Sequence, residues 1–219
     1  MHRWLAPTRI AFGLLAAVAL GVAGHRAATG ATGVVDFFSY FTNLSVMAAV
    51  VVLLAGGWAG LTGRRPVPGP VRGAVVLCTT VTGLVYGLEV AVYPVALMIP
   101  WVGHVLHQVM PLVMLADWLL DPPQRRIRPV QAVGWLAFPF LYLAYALLRG
   151  WAVGWYPYVF LDPSRPCGYG RVAGACFVTT LGFVLVGAAL MWAGNTLGDR
   201  RAAGSDTPPR GRRAHARTT

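Results

Sequence analysis

Six stretches of mainly apolar residues, at about 9–24, 37–61, 73–93, 97–120, 129–148 and 172–194, alternate along the chain with short segments rich in Pro, Gly and Arg. Each approaches the ~17–25 residues that an α-helix needs to cross a bilayer core of about 30 Å. The pattern predicts an all-α fold, a polytopic integral membrane bundle of six transmembrane helices. RRPVPGPVR between the second and third stretches and DPPQRRIRP between the fourth and fifth are helix-stopping turns that stay in water. The last stretch runs into GDRRAAGSDTPPRGRRAHARTT, which has no apolar periodicity and reads as disordered and attracted to anionic lipid heads. The expected organisation is therefore a six-helix transmembrane domain over residues 1–197 and a disordered basic cytoplasmic tail over 198–219.

Composition agrees with the pattern. Hydrophobic residues make up 57% of the chain against 11% charged, and the mean hydropathy is +0.60, which excludes an ordinary soluble domain. The net charge of +11 suggests nucleic acid, but the arginines sit between apolar runs and in the tail instead of on one basic face, so no nucleic-acid partner is expected. Their distribution gives an orientation. With the N-terminus in the cytoplasm, fourteen Arg fall on that side and four on the other, so the positive-inside rule puts both termini in the cytoplasm of a multi-pass protein of the bacterial cell (plasma) membrane. A second reading takes residues 1–30 as a cleaved leader, leaving five helices with the same loops. Cys78, Cys167 and Cys176 are too scattered for a disulfide framework or a zinc site, and neither a cofactor nor a metal is expected.

The candidate chemistry lies in the polar positions inside the spans. His104, His107, Gln108 and Pro111 recur at one helical face of the fourth span, and an intramembrane histidine is expensive enough to mark a functional site. Ser39, Thr42 and Asn43 share a face of the second span, below Asp36. The third carries Thr79, Thr82, Tyr86 and Glu89 as a stripe. All three stripes fall in the outer half of the membrane, which predicts a shared polar cavity there. Taken singly, such residues are packing glue worth only ~0.6–2 kcal/mol each. Asp117, near the cytoplasmic end of its helix, is expected to pair with a loop Arg. The aromatic segment RGWAVGWYPYVFLDPSRPCGYGR, with Asp162, lies on the outer side as a candidate lid.

The segment DFFSYFTNLS, the HxxHxxxP spacing of His104 to Pro111, and WYPYVFLDP before a Gly-rich last span together resemble the Pr6Pr family of bacterial membrane proteins. That family is similar in turn to the animal androgen-induced and androgen-dependent six-helix membrane hydrolases. The resemblance spans residues 9–197. It implies hydrolysis of fatty acid esters of hydroxy fatty acids, with Thr42 and His107 as the catalytic residues. The chemistry is coherent, because a Thr hydroxyl needs a base within hydrogen-bond reach and a neutral imidazole is the usual one. Asn43, Tyr86, Gln108 or backbone N–H groups are candidate oxyanion donors, each worth ~3 kcal/mol where water is excluded. His104 or Glu89 would orient His107. Membrane lipids and a fatty-acyl ester substrate are the implied partners, and nothing in the sequence sets an oligomeric state.

Three other readings use the same residues. Glu89, His104 and His107 suit a proton relay or ion site in a small transporter. The two histidines with Glu89 or Asp36 would make a metal site, although the spacing alone is a weak signature. A non-catalytic scaffold with a partner-binding tail is the last.

Overall fold

The computed structural model describes residues 4–30, 33–92 and 99–205, with the side chains of 89–92 and 205 left aside. Among the described residues the chain is helical, with no strand. The elements are α1 (Leu5–Thr29), α2 (Val34–Phe38), α3 (Phe41–Thr62), α4 (Gly69–Val92), α5 (Pro100–His104), a π-helical turn (Val105–Val109), α6 (Met110–Leu120), α7 (Pro129–Gly134), α8 (Ala137–Val153), a 3-10 turn (Val159–Leu161) and α9 (Gly168–Ser205). Among the described residues, five helical segments are long and apolar enough to cross a membrane: Leu5–Thr29, Phe41–Thr62, Gly69–Leu88, Pro129–Val153 and Gly168–Gly204. Large apolar side chains crowd their outer surfaces, among them Leu141, Trp151, Phe177 and Trp192 at 69–79% exposure. In water such a surface would be an aggregation hazard; facing lipid it is the stable arrangement. The chain is built as a multi-pass membrane protein.

The fourth apolar stretch differs from a plain span. Pro111 has no N–H and its ring excludes the carbonyl four residues back, that of His107. The helix adjusts by reaching further, and the Met110 N–H bonds the Val105 carbonyl, five residues earlier. Gly83 on α4 makes room for this irregularity, since a Cβ there would lie 2.8 Å from Pro111 Cβ and 3.3 Å from the His107 carbonyl.

The second stretch is also divided. The sequence placed Ser39, Thr42 and Asn43 on one face of one helix, but Ser39 ends α2 and α3 begins at Phe41. The Asn43 side chain causes the break to persist: its Nδ2 donates to the Phe37 carbonyl at 2.7 Å and so caps α2 from within α3. Aligned with α3, α1 packs through small residues. Ala16, Ala19 and Ala49 are fully buried, and a Cβ on Gly57 would meet Ile10 Cγ1 at 2.6 Å and the Ala6 carbonyl at 2.9 Å. Close backbone approach of this kind is how apolar helices gain packing energy without a hydrophobic drive.

At the other end of the chain α9 has 38 residues, about 57 Å of helix against a bilayer core of about 30 Å. It continues to Ser205, through the first eight residues assigned by sequence to the disordered tail. Residues 206–219 lie outside the described ones.

Candidate functional site

The sequence-predicted residues separate into small groups. His107 is half-buried and lies in the π-helical turn. Its ring stacks on Tyr86 of α4, with centroids 4.4 Å apart and planes at 27°. Its Nδ1 is 3.1 Å from the Gly103 carbonyl oxygen. A carbonyl can only accept, so Nδ1 carries the proton and Nε2 presents a lone pair. This is the tautomer of a poised base, held by one hydrogen bond and one aromatic face. Single-turn π bulges recur at functional sites for this reason: they re-aim a side chain that a regular helix would bury elsewhere.

His104 does not join it. His104 and Gln108 are exposed, and their side chains bond one another through Nδ1 and Oε1 at 3.2 Å, on the outer surface of the helix. Glu89 belongs to α4, but its side chain lies outside the described residues. Thr79 and Thr82 turn their hydroxyls onto their own helix, to Val75 O at 2.9 Å and Cys78 O at 2.8 Å, and their stripe is packing. Asp36 bonds Arg149 at 2.5 Å, and Arg149 also lies over the Trp155 ring at 4.6 Å. Among the described residues no three His, Cys, Asp or Glu side chains come together.

Thr42 is 5% exposed and occupies the second position of α3. No hydrogen bond joins it to His107 among the described residues. The first N–H groups of a helix have no partner within it. The Phe41 N–H is taken by Tyr158 Oη at 3.1 Å, whereas those of Thr42 and Asn43 have no described acceptor. Thr42 thus sits in the first turn of α3, at the positive end of the helix dipole. Its level can be compared with that of the π turn. Leu53 lines a cavity of about 90 Å³ together with Val113, Ala116 and Asp117. Going back eleven residues along α3, about 16 Å and only about 20° in rotation, reaches Thr42. The same rise along α6 reaches the π turn to within about one helical turn.

The aromatic segment after α8 sits over the α2–α3 junction. Trp155 and Tyr158 pack edge-on against Tyr40, with centroids 5.9 and 6.0 Å apart. Ser39 Oγ meets Tyr145 Oη at 2.8 Å, and Tyr142 Oη donates to the Ser39 carbonyl at 2.7 Å. Asp162 serves its own turn, accepting from Ser164 N at 2.9 Å and Ser164 Oγ at 2.6 Å, bonds that hold its carboxyl below the usual range.

At the opposite end lies a cluster that the sequence reading missed. Asp117 accepts from Arg9 Nε at 2.6 Å and Arg72 Nη2 at 2.8 Å, with all three side chains at most 9% exposed. Asp121 accepts from Arg9 Nη2 and from Arg201 Nη1, each at 2.8 Å. Asp117 was expected to meet a loop Arg, and Arg72, the last residue of RRPVPGPVR, is one partner, although it sits in the first turn of α4; the unexpected partner is Arg9, inside α1. Burial pushes the Asp121 carboxyl up, but its bonds to Arg9 and Arg201 and the field of Arg72 outweigh this and hold it below the usual carboxylate range. Five side chains thus tie the ends of α1, α4, α6 and α9. A second cavity of about 320 Å³, lined by Asp121, Pro123, Gly198 and Arg201, adjoins them. Neither cavity borders Thr42 or His107.

A few buried polar atoms have no partner among the described residues: Ser45 Oγ, Thr80 Oγ1, Trp135 Nε1, Arg149 Nη1 and Arg171 Nε. The chain matches no protein-family model, no curated protein and no solved structure.

Proposed function

We propose that this chain hydrolyses fatty-acyl esters inside the membrane, with Thr42 as nucleophile and His107 as base. The observation that carries the reading is the imidazole of His107, fixed on Tyr86 and on the Gly103 carbonyl so that Nε2 is the free, basic nitrogen. The setting of Thr42 supports it. A hydroxyl in the first turn of a 22-residue helix, whose Thr42 and Asn43 N–H groups have no acceptor among the described residues, has candidate oxyanion donors on its own backbone. In the reaction Nε2 takes the Thr42 proton as Oγ1 attacks the ester carbonyl. The tetrahedral intermediate collapses, the alcohol leaves with that proton, and water releases the acid from Thr42.

The same proposal includes six spans, the sixth being the α5–π–α6 run, both termini in the cytoplasm of a bacterial plasma membrane, and kinship with the Pr6Pr family. Arg9, Asp117 and Arg201 support an even number of crossings, since the start of α1 and the ends of α6 and α9 meet at one place. Transport by a Glu89–His104–His107 relay draws less support, because His104 faces outward onto Gln108.

The test is turnover of a long-chain hydroxy fatty acid ester by purified protein in detergent, where no ion gradient exists. His107→Ala and Thr42→Ala are each expected to reduce it at least about 10²-fold, and fluorophosphonate labelling should vanish in Thr42→Ala. Unchanged turnover and labelling in both variants would refute the reading.

A further inference from the structure

Among the described residues, six helical hydroxyls turn back onto their own helix. Thr8, Thr29, Ser39, Thr62, Thr79 and Thr82 each bond the carbonyl four residues earlier at 2.7–3.0 Å. This is the default for a Ser or Thr in apolar surroundings, because it satisfies the hydroxyl locally. Ser45 and Thr80 depart from it, and Ser45 is the one that lies on the same helix as Thr42. The residue is 1% exposed, the Phe41 carbonyl stands four residues earlier on the same helix, and yet Ser45 Oγ has no partner among the described residues. A hydroxyl left so deep without a bond costs ~1–3 kcal/mol, and buried polar groups of this kind are normally satisfied by ordered water. Ser45 lies three residues after Thr42 on the buried face of α3, and Thr42 likewise has no described bond. Residues so spaced have Cβ atoms ~5–6 Å apart, a separation that one water can bridge with two bonds of ~2.8 Å.

We propose that Ser45 and Thr42 hold a buried water between them, and that this water hydrolyses the acyl group from Thr42. The second half rests on the hydrolase reading. His107 Nε2 takes a proton from the water while its oxygen attacks the acyl carbonyl. The tetrahedral centre then collapses with cleavage of the bond from carbonyl carbon to Thr42 Oγ1. Oγ1 recovers the proton from His107, and the free fatty acid leaves. Ser45 is a positioning residue in this step and takes no part in acylation.

Two measurements on the full chain test this. In a structure of the protein in nanodiscs at about 2 Å resolution, density for a water should lie within hydrogen-bond distance of both Ser45 Oγ and Thr42 Oγ1 and disappear in Ser45→Ala. Absence of that water, or Ser45 Oγ bonded to the Phe41 carbonyl, overturns the site whatever the enzyme does. With a p-nitrophenyl acyl ester, Ser45→Ala should keep the burst of p-nitrophenol and accumulate an acyl adduct on Thr42, while steady-state release falls about 10²-fold. Ser45→Thr should restore part of it. If burst and steady state fall together, or neither changes, the role in deacylation is overturned. Loss of the burst in Thr42→Ala separates this outcome from failure of the hydrolase reading, in which Thr42→Ala behaves as wild type.

Discussion

Asp117 binds two guanidinium groups at once, Arg9 on Oδ1 and Arg72 on Oδ2, where its own side chain is 6% exposed. Both arginines are buried, so the carboxylate neutralises charge that would be costly to hold there alone. Replacing it by the isosteric amide keeps the shape and removes the charge. Asp117→Asn is therefore expected to destabilise the bundle by about 3–5 kcal/mol, the cost of leaving a buried partner uncompensated. Thermal or SDS unfolding in a fixed detergent measures it, and a loss below about 1 kcal/mol would mean that the cluster is solvated. The sequence held a signal for these residues. Asp117 and Asp121 are two of only seven acidic residues and lie four apart, hence on one helical face, while Arg9 interrupts an apolar run. Counting arginines by side for topology hid that they have individual partners.

The α5–π–α6 run depends on a contact between two elements. Pro111 cannot accept a straight helix before it, and Gly83 of α4 is the neighbour that leaves space for the result. Gly83→Ala would put a methyl 2.8 Å from Pro111 Cβ, forcing α4 from α6 at the level where Tyr86 stacks on His107. The expected cost is about 1–3 kcal/mol in stability, with the imidazole moved off its Tyr86 platform; under the proposed hydrolase function, ester turnover should fall with it. Pro111→Ala should offset part of the Gly83→Ala penalty, so a double-mutant cycle in stability checks the contact, and simple additivity would deny it. This dependence explains what was legible in the sequence. Helices that span were visible because dozens of residues carry the same apolar signal. The breaks at Ser39–Tyr40 and Val105–Val109 were not, because each hangs on one tertiary partner, Asn43 reaching Phe37 and Gly83 facing Pro111. Reading 37–61 as one helix put Thr42 inside a polar stripe; the break moves it to a helix start, which gives its hydroxyl neighbours of a different kind. His107 was visible from cost alone, its tautomer only from the Gly103 carbonyl.

Across the whole molecule, charge and apolar surface separate by position. Arg64, Arg65, Arg125, Arg126 and Arg128 are exposed in the two loops beside the Arg9–Asp117–Asp121 cluster, and Arg201 joins that cluster from α9. The opposite end carries the α2–α3 junction, the aromatic segment and the exposed thiol of Cys167. Between them α8 and α9 present apolar side chains outward along their length. In the orientation proposed above, an anionic inner leaflet would attract the Arg-rich end at about 1 kcal/mol per residue near its surface. The native Cys167 reports on that orientation, since Cys78 is buried and Cys176 only partly open. In intact cells a membrane-impermeant maleimide is expected to label Cys167, while cysteines introduced as Arg64→Cys and Ala203→Cys in a chain lacking Cys167 react only after permeabilisation. That pattern requires an even number of crossings, with the α5–π–α6 run as one of them. If Ala203→Cys were instead labelled in intact cells while Arg64→Cys stayed protected, that run would not cross. The Arg9–Asp117 and Arg72–Asp117 bonds would then have to break in the membrane, because Arg9 and Arg72 would lie on one side and Asp117 on the other.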